Sequence, residues 1–289
     1  MITRDNDRLA ILGLGLMGGS LGLAVRASGL PLHVAAYARR EQSRREALAR
    51  GVADSVHATA GEAVEGAGLV VLCTPVLEMD RLLAGCRRQL GVGAVVTDVG
   101  STKASLIQRL TPLATASGAA FVGSHPVCGS ERTGMVAARA DLYRGAHVIV
   151  TEEPGIDQDA LARVEALWGG VGARVTRMTA EAHDRMFAWT SHLPHLAAAA
   201  LVAATAGATR GSDVFAGTGF RDTTRIAQGS ASVWHDIVKT NATHLDAALS
   251  GYMDALQWLH TLIRTGRFED VRQFLAEAAE ARARLIPPE

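Results

Sequence analysis

A glycine hexapeptide near the start limits this chain more than any other feature. Gly13-Leu14-Gly15-Leu16-Met17-Gly18 follows the apolar run Leu9-Ala10-Ile11-Leu12 and opens a segment that reads as helix to Ser28. Strand, glycine turn and helix in that order form the context in which G-x-G-x-x-G holds a dinucleotide. Gly13 permits the tight turn, Gly15 leaves the backbone open to a pyrophosphate, and Gly18 lets the helix sit against the sheet. The helix start at Leu16 and Met17 presents free N–H groups and a partial positive charge to phosphates. The alternative is a βα turn that binds nothing.

The chain continues in a way that suits such a turn. Strand-like segments at residues 32–37, 69–73, 94–98, 119–123, 147–151 and 173–178 alternate with helical ones. That alternation predicts a Rossmann-like α/β domain over residues 1–178, with a parallel sheet and helices on both faces. Beyond residue 178 only helical patterns occur, broken near 207–219, Gly229 and Gly266. Residues 179–289 therefore form an all-α domain, read as substrate-binding and dimerising because its alanine-rich face needs a partner. Lys plus Arg and Asp plus Glu number 29 each, so no net charge favours a nucleic acid or a membrane surface. The apolar stretch 196–206 is too short to span a bilayer, and the glycine-broken run after residue 8 is no signal peptide. Cys73, Cys86 and Cys128 show no C-x-x-C spacing, which argues against a disulfide framework and for a reducing cytoplasm.

The tip of the second strand discriminates between cofactors. An acidic residue there would hold the ribose hydroxyls of NAD. The chain has Tyr37-Ala38-Arg39-Arg40 instead. Guanidinium groups suit a phosphate dianion, so NADP is preferred over NAD, with Arg39, Arg40 and Ser43 on the 2′-phosphate. These arginines are otherwise solvated surface charges. Thr74-Pro75, just after the 69–73 strand, should lie near the nicotinamide, because ligands bind at the carboxyl ends of parallel strands.

Three clusters carry groups suited to chemistry. In Asp98-Val99-Gly100-Ser101-Thr102-Lys103, Ser101 is either an N-cap or a substrate contact, and one hydroxyl can be both. In Gly123-Ser124-His125-Pro126-Val127-Cys128-Gly129-Ser130-Glu131, the histidine is read as lying on a constrained loop, where an imidazole can accept a hydroxyl proton as hydride leaves. The plain alternative is a structural or solvated histidine. In the helical half, His192 and His195 are three apart and share a face, with Pro194 kinking or beginning their helix. They lack a third ligand at a telling distance, so no metal is expected. Arg221 and Arg225 flank Asp222 beside a glycine turn and either grip carboxylates or form a surface pair.

Together the segments GLGLMGGSLG (13–22), DVGSTK (98–103), GSHPVCGSE (123–131), HDRMFAWTSHLPH (183–195) and GFRDTTRIA (219–227), with Trp234 beyond, resemble the prephenate and arogenate dehydrogenase family. The resemblance spans residues 9 to about 240. It implies oxidative decarboxylation of prephenate, or of its amino analogue arogenate, with hydride passing to NAD(P)+ in tyrosine biosynthesis. It implies that His125 is the catalytic base, that Ser101 orients the ring hydroxyl, and that Arg225 holds the ring carboxylate. His195, with His192 beside it, lies near the substrate side chain, and Glu131 lines the pocket. It also implies a homodimer through the helical domain. Cys128 stands where relatives carry a small residue, and Thr102 where valine is usual. A β-hydroxyacid dehydrogenase is the rival on the same glycine turn, but it needs a lysine on the interdomain helix, and the chain has none between Lys103 and Lys239. A nucleotide sensor without turnover is the rival from another class.

Overall fold

The computed structural model describes residues 8–129, 132, 134–209 and 215–286. Six strands make the main sheet: β1 (Arg8–Leu12), β2 (His33–Tyr37), β3 (Ser55–His57), β4 (Leu69–Leu72), β5 (Val95–Asp98) and β6 (Ala120–Phe121). They pair in parallel in the order β3-β2-β1-β4-β5-β6. The connecting helices are α1 (Leu16–Ala27), α2 (Glu41–Ala49), α3 (Ala60–Val64), α4 (Met79–Cys86) and α5 (Ala104–Thr115).

Side chains of successive strand residues point to opposite faces, and here both faces are apolar. Leu9, Ile11, Leu69 and Val71 pack with Leu21 and Val25 of α1 on one side. Ala10, Leu12, Val70 and Leu72 pack with Leu83 of α4 and with Leu106 and Leu110 of α5 on the other. Burial on both faces explains why these strands read as unbroken apolar runs. Each leucine so enclosed contributes about 1.5–3 kcal/mol.

A second, three-stranded sheet departs from the expectation of a single parallel one. It holds β7 (Ser124–Val127), β8 (His147–Thr151) and β9 (Arg174–Met178) in that order. The β7–β8 pair is antiparallel and the β8–β9 pair parallel, linked by α6 (Gln158–Gly170). The segment read as one strand over 119–123 is in fact β6, two residues long, after which the chain leaves the main sheet at Val122-Gly123 and enters β7. Short apolar strands look alike in sequence whichever sheet they join. His125 consequently lies on a strand, opposite Ile149, and not on a loop.

The remaining helices are α7 (Ala180–Phe187), α8 (Leu193–Ala208), α9 (Thr218–Thr224), α10 (Ala231–Thr240), α11 (Ala242–Arg264) and α12 (Phe268–Leu285). A π-helical turn at Ala188–His192 joins α7 to α8, and Pro194 sits in the first turn of α8. There its missing N–H costs nothing, so proline begins the helix and does not kink it. By compactness the chain divides into residues 1–242 and 243–289, a division of packing that falls after the change from strands to helices at Thr179. The reason is that α7 and α10 hydrogen-bond to the sheet region. Asp236 accepts from the Leu77 N–H, and the Thr240 and Thr102 hydroxyls meet at 2.8 Å. The second unit is the helix pair of α11 and α12. Tyr252, Met253, Leu256, Trp258 and Phe268 on it are exposed. No helix among the described residues is long and apolar enough to cross a membrane.

Candidate active site

A cleft of about 750 Å³ opens at the carboxyl ends of β1, β2 and β4. It is lined by Gly13, Gly15, Arg39, Arg40, Ser43, Thr74 and Pro75 among others. The three glycines of the turn do different work. Gly13 has φ of 114°, and a Cβ there would meet the Cys73 carbonyl at 2.9 Å. At Gly18 a Cβ would fall 2.0 Å from the Gly13 carbonyl oxygen, so the helix could not approach. At Gly15 a Cβ would meet nothing within 4 Å. Packing does not require that glycine, whereas a pyrophosphate lying along the turn does. The cleft thus fits a dinucleotide, with the N-terminus of α1 at its floor.

The strand tip is shaped by a third arginine. Arg44 donates to the Ala38 and Arg39 carbonyls, both at 3.0 Å. Arg39 and Arg40 are exposed, and their side chains have no hydrogen bond or ion pair with any described residue. Both guanidinium groups are therefore available to an anion in the cleft.

The second focus lies at His125, which is buried at 8% exposure. Its Nδ1 is 2.8 Å from Nε2 of His183, and Nδ1 of His183 is 2.8 Å from Oδ1 of Asp184. Asp184 also accepts from the Lys103 N–H at 2.7 Å and from the Ala104 N–H at 2.9 Å. It thereby caps α5, the role that sequence offered to Ser101. These contacts fix the protons. A carboxylate can only accept, so His183 carries its proton on Nδ1 and accepts at Nε2. His125 then donates from Nδ1, and its Nε2 is left as a free base. Phe187 stacks on His183 and is tilted against His125, with centroids 4.4 and 4.8 Å away.

Electrostatics keep this chain in one state. Burial, followed by His183, Lys103 and His192, holds His125 well below the ordinary histidine value, so it is neutral near pH 7. Burial also lowers His183, against the pull of Asp184. Burial pushes Asp184 up, but the His183 ring and the two N–H groups outweigh it and hold the carboxyl below its usual range.

Ser101 and His125 line a cavity of about 740 Å³ with Phe187, Thr190 and Ser191. This gathers two of the expected residues. His192 is fully buried and does not line that cavity. Its Nδ1 is 3.1 Å from Nδ2 of Asn241, which also donates to the Asp184 carbonyl. Burial brings His192 down to about 4. His195 stacks face to face on Trp234, with centroids 3.5 Å apart and planes 12° apart, and Gly229 closes on both rings. Arg225 follows α9 on a 3-10 turn and is exposed, without a bonded partner among the described residues. Arg221 is tied to the Ala216 carbonyl at 3.2 Å. Glu131 lies outside the described residues.

Sequence reasoning assigned no role to His183, Asp184, Lys103, Asp98 or Asn241. The signal available was chemical. An Asp beside a His at a helix start, and a lysine five residues after an aspartate in an otherwise apolar setting, are costly to bury unless paired.

A glycine turn shaped for a pyrophosphate and a buried histidine aligned by a carboxylate together define an NAD(P)-dependent oxidoreductase. Comparison with known proteins makes this specific. Residues 21–177 match the model of the prephenate dehydrogenase nucleotide-binding domain, and residues 179–277 that of its dimerization domain. The chain is 33% identical to cyclohexadienyl dehydrogenase of Zymomonas mobilis, covering 96% of this chain and 95% of that one. It resembles the crystal structure of prephenate dehydrogenase from Aquifex aeolicus with hydroxyphenyl propionate and NAD+. The TM-score is 0.90 and the identity 31%, over 97% and 98% of the two chains. Synechocystis arogenate dehydrogenase is similar at TM-score 0.83 and 27% identity, over 96% of this chain and all of the other. The chain belongs to the prephenate dehydrogenase family. A 3-hydroxyisobutyrate dehydrogenase from Salmonella typhimurium, at 17% identity and TM-score 0.59, shares the fold alone.

Proposed function

We propose that the chain oxidises and decarboxylates prephenate to 4-hydroxyphenylpyruvate, with NADP+ preferred over NAD+, in tyrosine biosynthesis. The observation that carries this is the His125–His183–Asp184 chain, which leaves one unprotonated imidazole nitrogen beside Ser101. His125 takes the proton of the ring hydroxyl, and Ser101 orients that hydroxyl. Bound NADP+ supplies the hydride acceptor. Once the ring carbon is oxidised, loss of CO₂ aromatises the ring, so the protein needs only to place the carboxylate. Arg225 is assigned to that carboxylate, and it must not hold the ground state too firmly, because only interactions stronger in the transition state accelerate the step. His195, set by Trp234, and Arg221 are assigned to the side-chain end, with His192 supporting from behind, and Glu131, which lies outside the described residues, is expected to line the pocket. Gly13, Gly15, Leu16, Met17 and Gly18 take the pyrophosphate, Arg39, Arg40 and Ser43 the 2′-phosphate, and Thr74 and Pro75 the nicotinamide end. We read the enzyme as a homodimer through the helical region, residues 179–289, working in a reducing cytoplasm where its three thiols stay free.

Arogenate is the second reading, favoured by the likeness to the Synechocystis enzyme. The test is a matrix of prephenate and arogenate against NADP+ and NAD+, followed at the reduced-nicotinamide absorbance band. The fastest rate is expected with prephenate and NADP+. A faster rate with arogenate transfers the assignment to that substrate. Cofactor binding without reduction in any combination overturns the enzymatic reading in favour of a nucleotide sensor.

A further inference from the structure

Beneath the histidine chain lies a polar cluster that the proposed reaction does not use. Lys103 is among the largest fully buried side chains. Its Nζ donates to the Asp98 carboxylate and, at 2.7 Å, to the Ser124 carbonyl. Asp98 accepts from the Ser124 N–H at 3.1 Å and from the Gly100 N–H at 2.7 Å. The pair therefore grips both backbone groups of Ser124, the residue immediately before His125. The Ser124 hydroxyl is fixed as well, by Thr97 at 2.9 Å and by the Trp168 indole N–H at 3.0 Å. At the other end of the chain, the backbone N–H of Lys103 binds Asp184. One residue thus reaches both the backbone that carries His125 and the carboxylate that orients its partner.

Stability alone does not account for this arrangement. A fully buried ion pair gains little over a well-packed apolar pair, because both charges are stripped of water. The pair as a whole carries no net charge, but of its two members it is the Lys103 ammonium that bears on the His125 ring, which must stay uncharged. We infer that Lys103 is a positioning residue for the proposed reaction: it sets the His125 ring in place through Ser124 and Asp184 and keeps that ring in its neutral, proton-accepting form. The inference rests on His125 being the base. The other groups facing His125 are His183 and Asp184 from α7 and His192 from the π-helical turn, and His147 lines the same cavity. Among the described residues facing His125, Lys103 is the one lysine, and the Asp98 and Asp184 carboxylates favour its charged form against the burial that lowers its proton affinity.

The test is the acid limb of kcat/KM against pH. With Lys103→Met the limb is expected to move to higher pH by about one unit, since a nearby like charge disfavours the protonated imidazole and its removal relieves this. Lys103→Met strands the Asp98 carboxylate and risks misfolding, so the paired variant Asp98→Asn/Lys103→Gln removes both charges and keeps an amide donor for Ser124. It too is expected to raise the limb, with NADP+ affinity unchanged. A merely structural lysine would lower the plateau and leave the limb where it was, and that result in a folded variant overturns the inference. His125→Asn separates the two readings. Loss of the limb or of activity supports His125 as base, whereas a limb that survives in His125→Asn overturns the role of His125 and that of Lys103 with it.

Discussion

The dinucleotide cleft and the histidine chain are built in opposite ways. The cleft is made of backbone and of residues close together in sequence: a turn at 13–18, a strand tip at 37–43, and Thr74-Pro75. It is open, and its arginines wait in solvent. The histidine chain draws on residues 98–104, 124–125, 183–192 and 241, which only long-range packing brings together. It is buried, and its hydrogen bonds decide which ring nitrogens of His125 and His183 carry a proton. Binding a phosphate needs donors and room, which local backbone supplies. Holding an imidazole in one tautomer needs several partners at fixed distances, which only a packed core supplies.

That contrast can be broken most directly at His125. His125→Asn should lower kcat/KM by about 10²–10⁴-fold, the usual worth of a general base, while a cofactor titration remains unchanged. Asp184→Asn should cost about 10–100-fold, in line with loss of an orienting partner. It should also cost about 1 kcal/mol of stability in denaturant unfolding, because α5 loses part of its cap. Equal loss of cofactor binding in either variant would merge the two regions into one.

The glycines sharpen the other half. Gly18→Ala should cripple folding, read as lost soluble yield or a lowered melting temperature, since its Cβ collides with rigid backbone. Gly15→Ala should melt as the parent does yet bind cofactor at least tenfold more weakly, about 1.4 kcal/mol. A Gly15→Ala protein with full affinity would take the pyrophosphate off the turn. A smaller effect is expected at the strand tip. Replacing Arg39 and Arg40 by Ala should weaken NADP+ by about 10-fold, the scale of one charge-assisted hydrogen bond, and leave NAD+ nearly untouched. Equal losses for both cofactors would refute the 2′-phosphate assignment.

The gentlest test is acid stability. His125, His183 and His192 all have lowered proton affinity in the fold, His192 down to about 4 from an ordinary 6.5. Between those values the unfolded chain binds more protons than the native one, so stability should fall as pH drops from 6.5 toward 4. Denaturant midpoints across that range read it. A flat profile would mean that the rings are not buried neutral.

Much of the cleft was legible because its signals are local. A positive-φ glycine, a missing acidic residue at a strand tip and a proline after a strand each carry their meaning within a few residues. His125 and Ser101 were also singled out, through their place after strands, and the structure brings both to one cavity, although His125 was read as lying on a loop. His183 and Asp184 stood in plain view as a dipeptide and received no role, because nothing in one sequence says that a pair at 183–184 faces residues 103 and 125. The small second sheet was hidden for the same reason, since an antiparallel β7–β8 pair and a parallel one present identical apolar runs.

By itself, then, the sequence determined the open α/β design, the glycine turn, the basic strand tip and a helical remainder, all of them consequences of side-chain period and backbone freedom over short spans. Tertiary structure alone decided which imidazole nitrogen is left free, which carboxylate caps α5, and which groups Lys103 is tied to. Those outcomes depend on distances between groups dozens of residues apart and on the removal of water from them, and neither quantity is written in the order of the residues.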